Sequence, residues 1–298
     1  MIYDCIIIGG GIAGLQAAIQ LGRYQHNVLV LDDGKGRSSI CHCYHNLLGW
    51  PDGVSGEKLR SIGQMQALRL GVQFEKQRVE AVEQTGGLFC ATTSTSQQFL
   101  GKRVLLATGI KDNIPPLEGL FPCLGKSVFV CPDCDGYEIL NKKALVIGSG
   151  NAGVSMALTL TYWTDALTFI NHGKGEIGAD FMEKLVGKGI RLVSDEISEI
   201  HADCSDFMGV TLANGDRLEF AYAFLAFGGN LPNTGLALQL GVKLDKNKHI
   251  PVDPRTKMTS VENIWAAGDI TVHSEQAAIA MGDGIQAAIW IHKSLLES

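Results

Sequence analysis

Two cysteines separated by two residues, Cys131 and Cys134, have the residue type and spacing that most clearly suggest chemistry. Thiols at this spacing can close a disulfide or open to a dithiol, which is what thiol–disulfide exchange requires. Zinc sites use the same spacing, but they usually need a second pair of ligands, and the sequence has no second CxxC and no HxxxH. Because a strand and a glycine-rich turn follow the pair, we interpret it as redox-active.

An acid, Asp135, follows the second cysteine directly. A free thiol is only partly ionised at neutral pH, so a redox pair needs activation. A carboxyl group beside the pair can take a proton from one thiol and return it to a leaving thiolate. Its negative charge would raise the pKa of a nearby thiol, so we expect proton transfer from Asp135 and not electrostatic activation. The alternative is that Asp135 only caps a helix or turn.

The amino-terminal stretch has the pattern of a dinucleotide-binding turn. An apolar strand leads into GGGIAG, a helical segment follows, and a second apolar strand ends in two acids. Such glycines let the backbone approach a pyrophosphate at a helix N-terminus, and the acid accepts hydrogen bonds from a ribose. The candidate contacts of this predicted site are Gly9, Gly11, Ile12, Ala13, Gly14, Asp32 and Asp33.

The same pattern returns later at a constant offset, which aligns Gly9 with Gly148 and Gly14 with Gly153. The offset places Asn171 at the position of Asp32, although NAD requires an acid there and NADP an arginine nearby. We therefore assign FAD to the first site and expect the second to be an NADP or NAD site that is weak, altered or vestigial. Its candidate contacts are Gly148, Gly150, Asn151, Ala152, Gly153 and Lys174.

Composition excludes several classes of protein. The chain has 298 residues, of which 46% are hydrophobic, enough for two domains with sizeable cores. The net charge of −6, without a basic run, argues against nucleic-acid binding. No apolar run approaches the ~20 residues of a membrane span, and the first residues lack the pattern of a signal peptide. Eight cysteines are too few for a disulfide scaffold, so we predict a cytoplasmic protein.

Five motifs together resemble the low-molecular-weight thioredoxin reductases: GGGIAG at 9–14, ATG at 107–109, CPDCDGYE at 131–138, GSGNAG at 148–153 and AAGD at 266–269. The resemblance implies an α/β fold with two Rossmann-like FAD/NAD(P)-binding domains of three-layer ββα type, the second inserted into the first. It implies an FAD-binding domain at 1–114 and 232–298, and an NAD(P)-binding-like domain carrying the CxxC at 115–231. Ser274 is expected to cap the last helix, over residues 275–296.

The resemblance also implies roles for individual residues. Cys134 would face the flavin, Cys131 would exchange with the substrate, and Asp135 would donate and accept the proton. Members of that family are homodimers, and no metal site is expected. Further flavin contacts are expected at Asn46, Thr108, Gly109, Gly268, Asp269, Gln276 and Ala277.

The main hypothesis is an FAD-dependent thiol–disulfide reductase whose partner is thioredoxin or a thioredoxin-like protein. The NADPH-binding arginines of the family are absent, Ser155 and Met156 replace an expected acidic pair, and Glu275 replaces an arginine. These departures leave the electron donor open between NADPH, NADH, ferredoxin and another donor. Residues 46–53 and CDGYE also look somewhat like flavin-dependent dithiol oxidases, which oxidise a small dithiol and use oxygen. A flavin-bound redox sensor is the third hypothesis.

The remaining cysteines and histidines receive simpler interpretations. We interpret Cys41 and Cys43 as parts of a loop on the flavin side, with a second redox or metal site as the alternative. His42, His45 and His273 could assist proton transfer, but a solvated or core histidine is the commoner outcome, so we place none of them among the catalytic residues.

Overall fold

The computed structural model describes residues 1–297, and the chain forms two compact units. Unit 1 consists of Met1–Ser39, Gly56–Lys111 and the chain from Leu231 onward. Unit 2 consists of Ile40–Ser55 and Asp112–Asn230. The sequence-based boundaries differ mainly at residues 40–55, which were predicted to belong to the first domain and which pack within unit 2.

The strands are numbered in chain order. They are β1 (Ile2–Ile8), β2 (Val28–Leu31), β3 (Gln73–Glu75), β4 (Val79–Thr85), β5 (Leu88–Thr93), β6 (Gln98–Leu106), β7 (Ile110–Lys111), β8 (Val128–Phe129), β9 (Ala144–Gly148), β10 (Leu167–Asn171), β11 (Arg191–Val193), β12 (Ile197–Asp203), β13 (Asp206–Leu212), β14 (Arg217–Glu219), β15 (Ala223–Ala226), β16 (Leu231–Pro232) and β17 (Ile264–Ala266).

The helices are α1 (Ile12–Arg23), α2 (Arg37–Ile40), α3 (Gly56–Arg69), α4 (Pro132–Asp135), α5 (Gly150–Leu160), α6 (Ala179–Gly187), α7 (Gly235–Gln239) and α8 (Ala277–Leu296). Short 3₁₀ turns lie at Phe121–Cys123 and Gly136–Ile139.

A seven-stranded sheet forms the centre of unit 1, in the order β3-β2-β1-β6-β5-β4, with β17 also paired to β6. The pairs of β1 with β2 and β6, of β2 with β3, and of β17 with β6 are parallel, whereas β4 and β5 continue the sheet as antiparallel strands. Strand β2 is buried at every position, which is the apolar pattern expected of a parallel strand covered on both faces.

Unit 2 repeats this arrangement on a smaller scale. A five-stranded parallel sheet has the order β11-β10-β9-β15-β8, and a three-stranded antiparallel sheet, β12-β13-β14, accompanies it. Strands β9, β10 and β15 are buried at every position. An Asn214-Gly215 turn joins β13 to β14, with Gly215 at φ +92°. Both sheets confirm the α/β class with two Rossmann-like units.

Several sequence-based boundaries were wrong. The last helix was predicted from residue 275 with Ser274 as its cap, but α8 begins at Ala277 and its N-cap is Gln276 in an extended conformation. The stretch 72–82 contains residues of two strands, β3 and β4, and not of one. Helices α2 and α4 have only four residues each, too short for a periodic apolar pattern to reveal them.

No helix within residues 1–297 is both long and apolar enough to cross a membrane.

Candidate active site

The first glycine turn, between β1 and α1, is shaped by close backbone approaches. Gly9 lies at φ +107°, and a Cβ there would stand 2.2 Å from the carbonyl oxygen of Ala107. A Cβ on Gly14 would stand 1.9 Å from the carbonyl oxygen of Gly9. By contrast, a Cβ on Gly11, the N-cap of α1, would meet nothing within 4 Å. The turn is therefore tight on its inner side and open at the helix N-terminus, which fits a dinucleotide pyrophosphate.

The acid at the end of β2 closes this turn from the other side. Asp32 Oδ1 accepts a hydrogen bond from the Gly10 amide at 3.0 Å, and its Oδ2 pairs with the Arg60 guanidinium at 2.7 Å. Asp33 accepts from the amide of Lys35 at 2.9 Å. Arg60 comes from α3 and was not among the predicted residues, because its spacing from the glycine motif carries no signal.

The turn after β6 is fixed by residues far away in the sequence. The Thr108 hydroxyl donates to the Asn233 carbonyl at 2.8 Å, and the Asn233 side-chain amide donates to the Thr108 carbonyl at 2.8 Å. The backbone amide of Asn233 also donates to the carbonyl of Gly109, which lies at φ +61°. This reciprocal pairing holds the predicted Thr108 and Gly109 at the end of the parallel strand β6. The carbonyl oxygen of the preceding residue, Ala107, faces Gly9 of the glycine turn.

The AAGD motif after β17 is positioned by a buried carboxylate from α8. Asp283 is 4% exposed and accepts hydrogen bonds from the Gly268 amide, at 3.1 Å, and from His273 Nε2, at 2.5 Å. Its other oxygen pairs with Lys257 Nζ at 2.8 Å. The pKa of Asp283 lies below its usual value because these hydrogen bonds outweigh its burial, and hydrogen bonding to Asp283 raises the pKa of His273. His273 thus holds the turn in place.

An ion-pair network places opposite charges around Asp269. One Arg37 nitrogen lies 3.0 Å from Asp269 Oδ2 and 2.8 Å from Glu275 Oε2. Glu275 therefore replaces the expected arginine in sequence, while Arg37 supplies a positive charge in the structure. Gln276 and Ala277 follow directly at the start of α8. The predicted contacts of the first site other than Asn46 all belong to unit 1; they are Gly9, Gly11, Ile12, Ala13, Gly14, Asp32, Asp33, Thr108, Gly109, Gly268, Asp269, Gln276 and Ala277.

The redox pair lies at the start of α4 in unit 2. Cys131 is the N-cap, in an extended conformation, and its carbonyl accepts a hydrogen bond from the Asp135 amide at 3.1 Å. Both thiols are partly buried and in the dithiol form. A hydrogen bond from Cys134 lowers the pKa of the Cys131 thiol in spite of its burial. A lowered pKa increases the thiolate fraction of Cys131, which is the form that acts as a nucleophile.

An aromatic ring lies against Gly136, the residue that follows α4. A Cβ on Gly136 would stand 2.7 Å from the indole ring of Trp163, in the segment after α5. Only glycine admits the ring at this distance. The CPDC segment is thereby held against the end of the helix that follows the second glycine motif.

The structure brings His45 to Asp135, although 90 residues separate them in sequence. His45 Nδ1 lies 3.4 Å from Asp135 Oδ1, and the side chains are 26% and 13% exposed. Burial raises the pKa of Asp135, and His45 partly offsets this rise. The hydrogen bond to Asp135 in turn raises the pKa of His45. Since the pKa values of both groups are raised and the two side chains are in contact, the pair can hold and release a proton.

The same loop carries Cys41 and Cys43. Burial, reinforced by the charge of Asp135, raises the pKa of the Cys41 thiol to about 12. Burial also raises the pKa of Cys43. Neither thiol is activated, unlike Cys131. Within residues 1–297 no group of three or more His, Cys, Asp or Glu is placed to hold a metal ion.

Two predicted contacts are placed differently from expectation. Asn46 belongs to unit 2, so its predicted contact with the flavin stays a prediction. Lys174, the candidate cation of the second nucleotide site, is paired with Glu196 at 2.9 Å. His45 and Arg60 are two of the residues that sequence reasoning did not place among the site residues, because each reaches its partner through a loop or helix without a motif.

Comparison with known proteins identifies the family. The family model for pyridine nucleotide-disulphide oxidoreductases matches residues 3–284. The chain belongs to this family. Thioredoxin reductase of Mycolicibacterium smegmatis is 29% identical over 99% of this chain and 97% of its own length. The bifunctional thioredoxin reductase/thioredoxin of Mycobacterium leprae is 28% identical over 99% of this chain, which spans 66% of that protein.

Solved structures agree with this assignment. The putative thioredoxin reductase of Bacillus anthracis superposes with a TM-score of 0.85 at 28% identity, covering 99% of each chain. The protein is therefore a flavoprotein oxidoreductase, an FAD-dependent disulfide oxidoreductase of thioredoxin reductase type, as the five motifs predicted. FAD is the cofactor of the family, and the glycine turn of unit 1 fits it.

Proposed function

We propose that this protein reduces the disulfide of thioredoxin or of a thioredoxin-like protein, using Cys131 and Cys134 as the exchanging pair. The single observation that carries the proposal is the CPDC pair itself, with a Cys131 thiol of lowered pKa beside a buried acid and its histidine. The thioredoxin reductases among its relatives support the choice of partner.

The chemistry of the pair follows from the charges of its neighbours. The Cys131 thiolate attacks one sulfur of the substrate disulfide, which forms a mixed disulfide and releases one substrate thiolate. Burial raises the pKa of Asp135, which makes this acid the group suited to supply the proton that the leaving thiolate takes up. The Asp135 carboxylate then takes the proton of Cys134, and the Cys134 thiolate attacks the Cys131 sulfur. The mixed disulfide breaks, the second substrate thiolate leaves, and the Cys131–Cys134 disulfide forms. Substrate is reduced by two electrons, and the pair is oxidised by two.

Unit 1 would hold the cofactor through Gly9 to Gly14, Asp32, Thr108, Gly109, Gly268 and Asp269, with Gln276 and Ala277 at the start of α8. FAD, when bound, is the two-electron partner that returns the disulfide to the dithiol. His45 is a positioning residue in this scheme, since it acts through Asp135. We further propose that the protein is a homodimer and is located in the cytoplasm, as the family resemblance and the sparse cysteines lead us to expect.

An experiment that needs no nicotinamide tests this proposal. The flavin of the purified protein is photoreduced under anaerobic conditions, oxidised thioredoxin is added, and the return of the flavin absorption band is followed. We expect rapid return with the wild type, and none above background with Cys131→Ser. Cys204→Ala, at an exposed cysteine of unit 2, is the matched control and should behave like the wild type. Equal rates in wild type and Cys131→Ser would refute the proposal.

A further inference from the structure

The second glycine motif differs from the first in what lies over it. Gly150 of unit 2 corresponds in sequence to Gly11 of unit 1, where a Cβ would meet no atom within 4 Å. A Cβ on Gly150 would stand 2.8 Å from the carbonyl oxygen of Glu176. A Cβ on Gly175 would in turn stand 2.8 Å from the amide nitrogen of Gly150. The backbone of residues 173–178, here called the closing loop, therefore lies on the N-terminus of α5, where a pyrophosphate would bind.

Three side chains fasten the closing loop to this turn. Asn171 Oδ1 accepts a hydrogen bond from the Gly150 amide at 2.9 Å, and its Nδ2 donates to the Gly175 carbonyl at 2.9 Å. The Ser149 hydroxyl accepts from the Gly175 amide at 3.2 Å. Asn151 Oδ1 accepts from the Gly178 amide at 2.8 Å. The polar groups that would bind phosphate are thus bonded to the chain's own backbone.

The groups available to a 2′-phosphate are also engaged. Lys174 pairs with Glu196, and His172 Nδ1 accepts a hydrogen bond from the Ile197 amide at 2.8 Å. Burial lowers the pKa of His172, so its ring is neutral at pH 7. A neutral ring and a paired lysine offer little to a phosphate dianion.

The cavity beside this turn has the wrong charge for a nucleotide. Its volume is about 350 Å³, and it is bounded by Asp112, Pro132, Ser155, Met156 and Phe227, among others. Among the described residues that line it there is no Lys, Arg or His, and the one ionisable side chain is the acid Asp112. The cavity therefore offers no compensation for phosphate charge.

We infer that the closing loop occupies the pyrophosphate position of unit 2, so that this protein does not bind NADPH or NADH there. The residues present do not fit the pyridine nucleotide that the family name implies. The inference is independent of the proposed function, because it concerns only the second glycine motif.

The test is direct titration of the full-length protein with NADPH and with NADH, by calorimetry. We expect no saturable binding of either up to about 1 mM, although cofactor-using enzymes usually saturate within or below this range. Saturation by either nucleotide would overturn the inference. The result does not depend on thioredoxin, so a failure of the photoreduction experiment would leave it intact.

A gain of binding provides the positive arm. In the double variant Ser149→Gly and Asn171→Asp, the loop loses two of its fastenings, while one oxygen of the new carboxylate can still accept from the Gly150 amide. The other carboxylate oxygen faces the Gly175 carbonyl oxygen and repels it. The substitution also places an acid at the end of β10, where NAD-binding sites have the acid that binds the adenosine ribose. We expect saturable NADH binding that the wild type lacks, with less gain for NADPH because the 2′-phosphate meets this acid.

The matched control is Lys174→Ala, which breaks the ion pair with Glu196 but leaves the loop fastened; it should bind neither nucleotide. FAD content and thermal unfolding would show that each variant is folded. If the folded double variant bound no NADH, the loop would not be what excludes the nucleotide, and the inference would be wrong.

Discussion

A hydrogen bond between the two cysteines shifts the pKa of the thiol that we propose as the nucleophile. Cys134 donates to Cys131, and this lowers the pKa of Cys131 against the effect of burial. Asp135 adds a negative charge nearby, so its part must be to carry a proton and not to stabilise a thiolate. The reactivity of the pair therefore depends on one donor that a single substitution can remove.

Replacing Cys134 by alanine removes this donor. We expect the pKa of Cys131 to rise, since burial and the neighbouring carboxylates are then opposed only by the backbone hydrogen bond from residue 134. The midpoint of the pH dependence of Cys131 alkylation by iodoacetamide should move to higher pH, measured by mass spectrometry of the labelled peptide. Cys204→Ala should leave that midpoint unchanged. An unchanged midpoint in Cys134→Ala would show that Cys134 does not activate Cys131.

The contact between His45 and Asp135 gives a second prediction. In His45→Ala the pKa of Asp135 should rise further, because only burial and Glu138 then act on it. In a pH–rate profile of thiol–disulfide exchange, the limb that reports the ionisation of Asp135 should move to higher pH. Asp135→Asn should lower the rate roughly 100-fold, a typical loss for general acid–base catalysis. A His45→Ala profile identical to that of the wild type would remove His45 from the mechanism.

At the scale of elements, the turn between β1 and α1 separates two roles of glycine. In Gly14→Ala the new Cβ overlaps the Gly9 carbonyl oxygen, so α1 can no longer pack on β1. In Gly11→Ala the Cβ meets no protein atom within 4 Å, and the backbone has φ −76°.

We therefore expect Gly11→Ala to keep the thermal stability of the FAD-free protein but to weaken FAD binding, because the methyl group stands where the pyrophosphate approaches. Gly14→Ala should lower the free energy of unfolding by about 1–3 kcal/mol. It should also lose FAD. Thermal unfolding of the FAD-free proteins and FAD titration would check this. Equal loss of stability in the two variants would contradict it.

The carboxylate of α8 gives a prediction on stability. Asp283→Asn leaves Lys257 and His273 without their buried partner and should lower the free energy of unfolding by about 3 kcal/mol. Urea denaturation of the protein would measure this. Lys293→Ala, on the same helix but away from this buried cluster, is the control and should change little.

His273 makes that stability pH-dependent. Its folded-state pKa lies above the unfolded value, so the stability contributed by the charged pair is fully present below about pH 6.5 and is lost as the pH rises through the folded-state pKa. The wild type should therefore lose more stability than His273→Gln between about pH 6 and pH 9, as measured by urea denaturation. Parallel pH dependences in the two proteins would show that the pair is not charged.

At the scale of the whole molecule, the proposed dimer is open to a measurement of mass. The chain has a mass of 32.0 kDa, so a homodimer would have twice this mass. Sedimentation equilibrium at micromolar concentration should give the dimer value with FAD bound. The monomer mass across that concentration range would refute the proposed dimer.

Short-range sequence patterns predicted much of the architecture. Each glycine motif stands between an apolar strand and a helix, and each strand is largely buried as its composition predicted, so the two Rossmann-like units could be recognised from composition and spacing alone. The CPDC pair and the AAGD turn are likewise local. By contrast, the start of α8 was misplaced by two residues, because serine is a common capping residue but Ser274 precedes the N-cap, Gln276.

The sequence by itself determined the nucleotide turns, the redox pair and the family, because each of these is written in neighbouring residues whose chemistry needs that spacing. Only the tertiary structure decided that residues 40–55 join unit 2 and bring His45 to Asp135, and that residues 173–178 close over Gly150. Both depend on the path of loops without periodic pattern. Such paths are set by contacts between residues far apart in the chain, such as Asp32 with Arg60, which no local spacing encodes.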